Sequence, residues 1–438
     1  MAISSDILNL ISNRRKGYTL EAPFYLNSEI FDLDMAAIFG HHWIFVAVEP
    51  DIAEPGDYVK VEIGHNSVII VRDDDMAIKA FHNVCRHRGS QLCDDAKGSV
   101  GNLVCPYHQW TYDLSGQLIY NEHMGEAFNK NDHNLKSVHV GSVAGLIFIC
   151  LADTPPEDFE TMRAAMEPYL APHRLADCKV ILQDDIVENG NWKLTMENNR
   201  ECYHCVANHP ELLKSMYEFG FGYQPSPANA AKVQEFRDLI EVEGKRWEAC
   251  GLPSAEIDLL DSCATAYRTQ RLPLDRAGES QTMDGKVACQ KLLGDLTQRN
   301  LGGLSFWTQP NSWHHFMSDH IVTFSVMPID AEHTLLRTKW LVHKDAVEGV
   351  DYDLKKISEV WRATNKQDST LVERTQRGAN SEWYEPGPYS PYTEELVEKF
   401  TNWYIQRLEA TLENAEFNAK LAEKSAKNAK AVPIKVCR

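Results

Sequence analysis

An α+β protein of two domains is what the sequence predicts, and three observations carry that prediction. From Trp43 to Cys150 the chain consists of short alternating or apolar runs separated by turns, the pattern of a strand-rich unit. At Asp153-Thr-Pro-Pro156 that pattern stops. Beyond it, helical periodicity and a second set of alternating strands share the chain. Residues 41–155 are therefore expected to form a small antiparallel β domain, with residues 1–40 and 156–438 forming the larger unit.

In chain order, residues 1–40 read as helical pieces leading into the buried strand Trp43-Ile-Phe-Val-Ala-Val48. Gly56-Asp-Tyr-Val-Lys-Val61 alternates, Ser67 to Arg72 is apolar, and Asp73-Asp-Asp75 is a turn. Gly145-Leu-Ile-Phe-Ile-Cys150 closes the first domain. In the second, Val180-Ile-Leu-Gln opens a strand and Trp192 to about Asn208 reads as one helix. Residues 227–300 are of mixed charge and predict helices and loops over a site. Leu304–Pro328 and Thr334–Val342 alternate as the strands of a second antiparallel sheet. A long helix is expected over Tyr352–Arg377, stopped by Gly378, and a last one over Thr393–Lys424 with a frayed end.

Composition narrows the function. With 44 basic against 63 acidic residues the net charge is −19, which argues against nucleic acid and anionic membrane as partners. No apolar run approaches the ~20 residues of a membrane span. The stretch from Met1 to Lys16 lacks the apolar core of a cleavable leader. Eleven irregularly spaced cysteines then predict a soluble cytoplasmic protein with reduced thiols.

The first concentration of chemistry is Cys85-Arg-His87, seventeen residues, then Cys105-Pro-Tyr-His108. Thiolates and imidazoles both suit iron and zinc. Zinc knuckles usually pair Cys with Cys, whereas here each knuckle supplies one Cys and one His. That division suits a [2Fe–2S] cluster in which one iron takes both thiolates and the other both imidazoles, the Rieske arrangement. Imidazoles in place of two thiolates lower the cluster's negative charge and raise its potential. Such a domain accepts an electron from a weak reductant and must pass it on.

The second is Asn191-Trp192 to Glu197, Arg200-Glu201-Cys-Tyr203-His204, and Asn208-His209-Pro210. On a straight helix Glu201 and His204 would share a face, with Glu197 one turn earlier. His209 would point elsewhere, but the residue before a proline avoids the α region, so the helix should loosen near Asn208 and let His209 swing back. Two histidines and a distant carboxylate compose the facial triad of non-haem Fe(II) oxygenases. For the carboxylate, Asp368 falls on the inward stripe of the long helix with Ile357, Val360, Trp361, Thr364, Leu371 and Val372. A buried carboxylate needs a cation or hydrogen bonds. Asp319 is the rival, at an expected strand end; Asp368 is preferred.

The two motifs, in this order and separation, resemble the α subunit of Rieske non-haem iron oxygenases, over nearly the whole chain. The resemblance includes Trp340-Leu-Val-His343-Lys-Asp-Ala-Val-Glu-Gly349 and Thr364-Asn-Lys-Gln-Asp368. It implies an antiparallel β Rieske domain followed by a helix-grip catalytic domain, with Cys85, His87, Cys105 and His108 on the cluster and His204, His209 and Asp368 on mononuclear Fe(II). Some members clamp their cluster loops with a disulfide from a Cys three residues beyond the first ligand His. Position 90 here is Ser and Cys93 lies further on, so no clamp is expected. The resemblance also implies a ring of subunits, usually a homotrimer. Glu201 would bridge one subunit's iron ligand to its neighbour's His108. The aromatic-ring branch typically has Asp at that position; the longer Glu matches the quaternary-ammonium branch, and within it the glycine betaine monooxygenases. That reading implies NAD(P)H electrons delivered by a separate flavin/iron–sulfur reductase, O2 as co-substrate, and hydroxylation of an N-methyl group, with formaldehyde lost and dimethylglycine left. Carnitine, choline and proline betaine are alternative substrates, and an aromatic-ring dioxygenase or a cluster-only electron carrier are alternative functions.

A permanent cation is desolvated by aromatic faces, worth ~0.5–2 kcal/mol each. The available rings are Phe306, Trp307, Trp313, Tyr203, Tyr217, Phe219 and Tyr223. Alternation puts Ser305, Trp307 and Gln309 on one strand face, so Phe306 and Trp307 cannot both point inward. A betaine carboxylate also wants a donor, and His314 and His315 are both candidates.

Overall fold

A computed structural model describes residues 5–414. Its first half-domain is built of three small antiparallel sheets. Ile44–Val48 pairs with Leu146–Cys150, which pairs with His139–Val143. Asp57–Ile63 sits between Asn66–Arg72 and Lys97–Ser99, with Ile78–His82 on the far side of Asn66–Arg72. Leu103–Val104, Thr111–Tyr112 and Leu118–Tyr120 form the third sheet. The strands read from the sequence are all present, displaced by a residue or two at their ends.

The second unit is organised on a seven-stranded antiparallel sheet. Its order runs Cys178–Glu188, Thr334–His343, Ile321–Pro328, Ser312–Phe316, Gly303–Thr308, Tyr267–Leu272, Ile257–Leu259. The last two strands lie inside the stretch expected to be irregular, which also contains the Ala230–Ala249 helix. Their short length and charged residues, such as Arg268 and Arg271, hid them; pairing with the Gly303–Thr308 strand makes them strands.

The two faces of this sheet meet different partners because side chains alternate. Leu304, Phe306 and Phe316 pack with Phe45 and Phe148, so one face is buried against the first domain. On the other face Trp307, Trp313, Phe324 and Trp340 pack with Trp361, Val360 and Ile357 of the Leu354–Ala379 helix. Asn365 fixes that helix on its strand by donating to Thr338 Oγ1 at 2.9 Å. The N-terminal segments Ser5–Ser12 and Pro23–Phe39 join this second core, where Tyr404 and Trp192 meet Asp34.

Three helix expectations need correction. The long helix starts after Asp353, whose carboxylate accepts from Lys356 N, and it runs through Gly378 to Ala379. Gly378 keeps a negative φ and so does not stop it; Asn380 does. The last helix spans Glu395–Glu413, and the rest of the expected element lies outside the described residues. The third correction, at residues 192–208, shapes the site below. Among the described residues no helix is long and apolar enough to cross a membrane.

Candidate metal centres

The Cys85 and Cys105 loops are built alike. Gly89 N donates to Cys85 O and Gln109 N to Cys105 O, both at 3.0 Å, and both closing residues have positive φ, +80° and +57°. Glycine carries that conformation without strain at the first loop; Gln109 accepts it at the second. The repeat turns one thiol and one imidazole from each loop towards a common point. Cys85 and Cys105 are buried, free and in contact. The rings of His87 and His108 lie 4.6 Å apart. Trp110 stacks on His87 at 4.9 Å, and Tyr112 Oη lies 3.5 Å from Cys85 Sγ while accepting from Arg86 N. His87 Nδ1 is buried with no hydrogen-bond partner among the described residues. Two thiols, two imidazoles and a partnerless buried nitrogen at one point fit the donor set of a Rieske cluster. His108 is exposed at the tip beside Tyr107, and Cys93, free and buried, joins no clamp.

The second centre depends on a break in the chain. The helix from Trp192 ends at Asn199, and a separate turn covers Cys205–Asn208. The break therefore comes at Arg200–His204, earlier than the proline alone predicts. Arg200 causes it: its guanidinium is buried and donates to Thr308 O and Gln309 Oε1, both 3.0 Å away. Glu201 then turns its carboxylate onto the N–H groups of Tyr203 and His204. His209, before Pro210, leaves the α region at φ −120°, ψ 65°, as expected of its position. A disulfide joins Cys202 to Cys205 across this loop, so the expectation of wholly reduced thiols fails at that pair. The loop brings these two Cα atoms to 4.9 Å, within bridging distance.

Three donor atoms converge. His204 Nε2 and His209 Nε2 are 2.9 Å apart, and Asp368 Oδ1 lies 3.2 Å from the first and 2.9 Å from the second. Three mutually adjacent ligands at about 2.1 Å from an ion would have their donors about 3.0 Å apart. The far ring nitrogens are each held: His204 Nδ1 on Glu201 Oε1, and His209 Nδ1 on Gln367 Oε1 at 2.8 Å. Gln367 in turn donates to Glu211. Both imidazoles therefore present Nε2 inward, the second-layer pattern of metal-ligating histidines. Burial acts to lower the pKa of His204, yet hydrogen bonds to Asp368 and Glu201 prevail and hold it at about 9. Asp368, despite burial, is held below its usual range by the same two histidines. Surplus negative potential at the point the two Nε2 atoms face, strong enough to hold a proton there, is the electrostatics of a cation site. Asp319, the rival carboxylate, is occupied elsewhere by Ser280 Oγ, His320 and the N–H groups of Ala288 and Cys289. Glu197 is also elsewhere, buried under Tyr25 Oη.

An open-mouthed cavity leads onto these donors. Trp307, Trp361, Phe221, Met216 and His315 wall it, and none of its described lining residues is Lys or Arg. Two of the sequence's substrate candidates, Trp307 and His315, are thus at the cavity. Three are not. His314 alternates to the opposite sheet face and lies 4.6 Å from Phe45; Trp313 stacks on Phe324 in the core; Tyr203 is 67 % exposed. Trp361 and Phe221 were missed. Trp361 had a signal, two helical turns before Asp368 on the same stripe. Phe221 sits among the aromatics of 217–223 with no periodicity to single it out.

Comparison with known proteins identifies the family. Residues 42–139 match the Rieske [2Fe-2S] domain model and residues 175–410 the ring hydroxylating alpha subunit (catalytic domain) model. The chain belongs to the Rieske oxygenase α-subunit family, whose cofactors are a [2Fe–2S] cluster and a mononuclear iron. It is 45 % identical over 407 residues to the glycine betaine monooxygenase oxygenase subunit of Chromohalobacter salexigens, covering 92 % of this chain and 89 % of that one. The protein of the same description from Pseudomonas aeruginosa is 43 % identical, with 91 % of each covered. A carnitine monooxygenase oxygenase subunit from Acinetobacter pittii is 27 % identical, over 85 % and 88 %. In fold, the chain matches a quaternary ammonium Rieske monooxygenase in complex with L-carnitine at TM-score 0.66 and 22 % identity, over 91 % and 98 %. Naphthalene 1,2-dioxygenase from Rhodococcus sp. matches equally, at TM-score 0.66 and 20 % identity, over 93 % and 99 %.

Proposed function

We propose that this chain is the oxygenase component of a monooxygenase that hydroxylates an N-methyl group of glycine betaine, giving dimethylglycine and formaldehyde. The observation that carries the reading is the convergence of His204, His209 and Asp368 at the end of a cavity walled by Trp307, Trp361 and Phe221, with no Lys or Arg among its described lining residues. Aromatic walls favour a permanent cation that has no hydrogen to donate. The 43–45 % identity to glycine betaine monooxygenase subunits supports that substrate.

In this reading residues 41–155 hold the cluster through Cys85, His87, Cys105 and His108, and the remainder holds the iron through His204, His209 and Asp368. When bound, the cluster supplies single electrons and the iron supplies O2 activation. The chain's own residues do the rest. Gln367 and Glu201 fix the tautomer of each ligand imidazole by accepting its Nδ1–H. The aromatic walls exclude water and hold the trimethylammonium group with a methyl towards the three donors. One oxygen atom of O2 enters a C–H bond of that methyl, the other leaves as water on taking two electrons and two protons, and the resulting N-hydroxymethyl group departs unaided as formaldehyde with loss of its hydroxyl proton. Exposed His108 and half-buried Glu201 suit electron passage between subunits of a homotrimer, with Glu201 bridging to His204. A flavin/iron–sulfur NAD(P)H reductase is the expected electron donor, in the cytoplasm.

The test is oxygen-dependent formaldehyde release with reductase and NAD(P)H, comparing glycine betaine, carnitine, choline and proline betaine. Glycine betaine is expected to give the highest kcat/KM. Faster turnover of any of the others would replace it as the substrate.

A further inference from the structure

The cavity is aromatic and acidic, and a betaine has a carboxylate that such a wall repels. His315 answers that need. It sits on the Ser312–Phe316 strand opposite Ser305, on the same sheet face as Trp307. Its ring is 4 % exposed and stacks on Trp361 with centroids 4.5 Å apart. Nδ1 lies 3.1 Å from Ser305 Oγ, whereas Nε2 has no partner among the described residues. Burial, reinforced by His320, lowers its pKa to about 3, so the imidazole is neutral and carries one proton. With Ser305 Oγ–H as the donor to Nδ1, that proton sits on Nε2. In that tautomer Nε2–H is a buried donor with no partner among the described residues, on a ring that lines the cavity.

Two other donors beside the cavity are spent within the protein. Thr364 Oγ1 donates to Val360 O at 2.9 Å, and Trp361 Nε1 donates to Gln281 Oε1 at 2.9 Å. Asn198 and Asn199, at the end of the helix that leads into the ligand loop, line the same cavity. A buried donor without a partner is costly and is retained where a ligand completes it.

Resting on the quaternary-ammonium reading above, we propose that His315, its tautomer set by Ser305, binds the substrate's carboxylate and thereby selects betaines over amino alcohols with the same cationic head. The carboxylate accepts from Nε2–H while the trimethylammonium group lies against the aromatic walls, so the two ends of the molecule are read by different residues.

The test is calorimetric binding, without O2, of glycine betaine and of choline to the protein loaded with cluster and iron. Wild type is expected to bind glycine betaine more tightly than choline. His315→Leu should weaken glycine betaine by about 10- to 100-fold, the value of a hydrogen bond to a charged group, and change choline by less than about threefold. His315→Gln, whose amide can donate towards the same place, should recover most of the loss. Retained choline binding and cluster absorbance report that the variants are folded. Equal weakening of both ligands, or unchanged glycine betaine affinity in His315→Leu, overturns the assignment. Wild-type protein that binds neither ligand refutes the quaternary-ammonium reading itself, and His315's role with it.

Discussion

Gln367→Leu separates the ligand from the residue that aims it. Gln367 precedes Asp368 on the long helix, so one helical turn supplies both a donor to the centre and the acceptor that orients another donor. Its Oε1 takes the Nδ1–H of His209 at 2.8 Å, which leaves the Nε2 lone pair facing His204 and Asp368. Leucine keeps an uncharged side chain of similar bulk and removes the acceptor. His209 is then free to hold its proton on either nitrogen, and one of the two tautomers cannot ligate. Loss of such an outer partner typically costs 10- to 100-fold in metal affinity, about 1.4–2.7 kcal/mol. The assay is Fe(II) affinity under anaerobic conditions by chelator competition, with cluster absorbance as the standard for folded protein. Gln367→Glu should fall between, because its carboxylate can take the proton but faces the carboxylate of Glu211, now bonded to the amide at 2.8 Å. A folded Gln367→Leu protein within threefold of wild type would show that the Gln367–His209 bond does not set ligand basicity.

Glu201→Gln should keep both metals, since the amide oxygen can still accept from His204, yet lower turnover by about 10²-fold or more through loss of the charged relay; metal analysis beside steady-state rates checks it, and near-normal turnover refutes the bridging role. Lys193→Met should destabilise by about 3–5 kcal/mol, seen as a lower denaturation midpoint, because Asp34 would remain fully buried with only Trp192 and Tyr404 as donors. Glu197, buried against Tyr25, has its pKa raised from 4.5 to about 7, chiefly by burial. A carboxyl whose folded value lies above its unfolded one adds stability at acid pH and loses it as pH rises through the folded value. Glu197→Gln should therefore match wild type near pH 4 and exceed it by on the order of 3 kcal/mol above pH 7 in denaturation series; a pH-independent difference would contradict this.

The sequence by itself determined the chemistry of this protein and the order of its parts. The C-x-H and C-x-x-H pairs, and the trio His204, His209 and Asp368 that the fold brings together, were legible as candidate donors because metal-binding residue types are few and their spacing or helical stripe marks them. The two antiparallel units were legible because alternation is a local property. Tertiary structure alone decided where the 192–208 helix breaks, since Arg200 is drawn out of it by carbonyls from residues more than a hundred positions away. It alone chose His315 over His314 and Trp307 over Trp313. Neighbours in a strand are equivalent to any local reading, and which of them faces a cavity is set by what packs on each side of the sheet. Phe45 and Phe148 claim one face here and Trp361 the other, and that division follows from how two domains meet rather than from any motif.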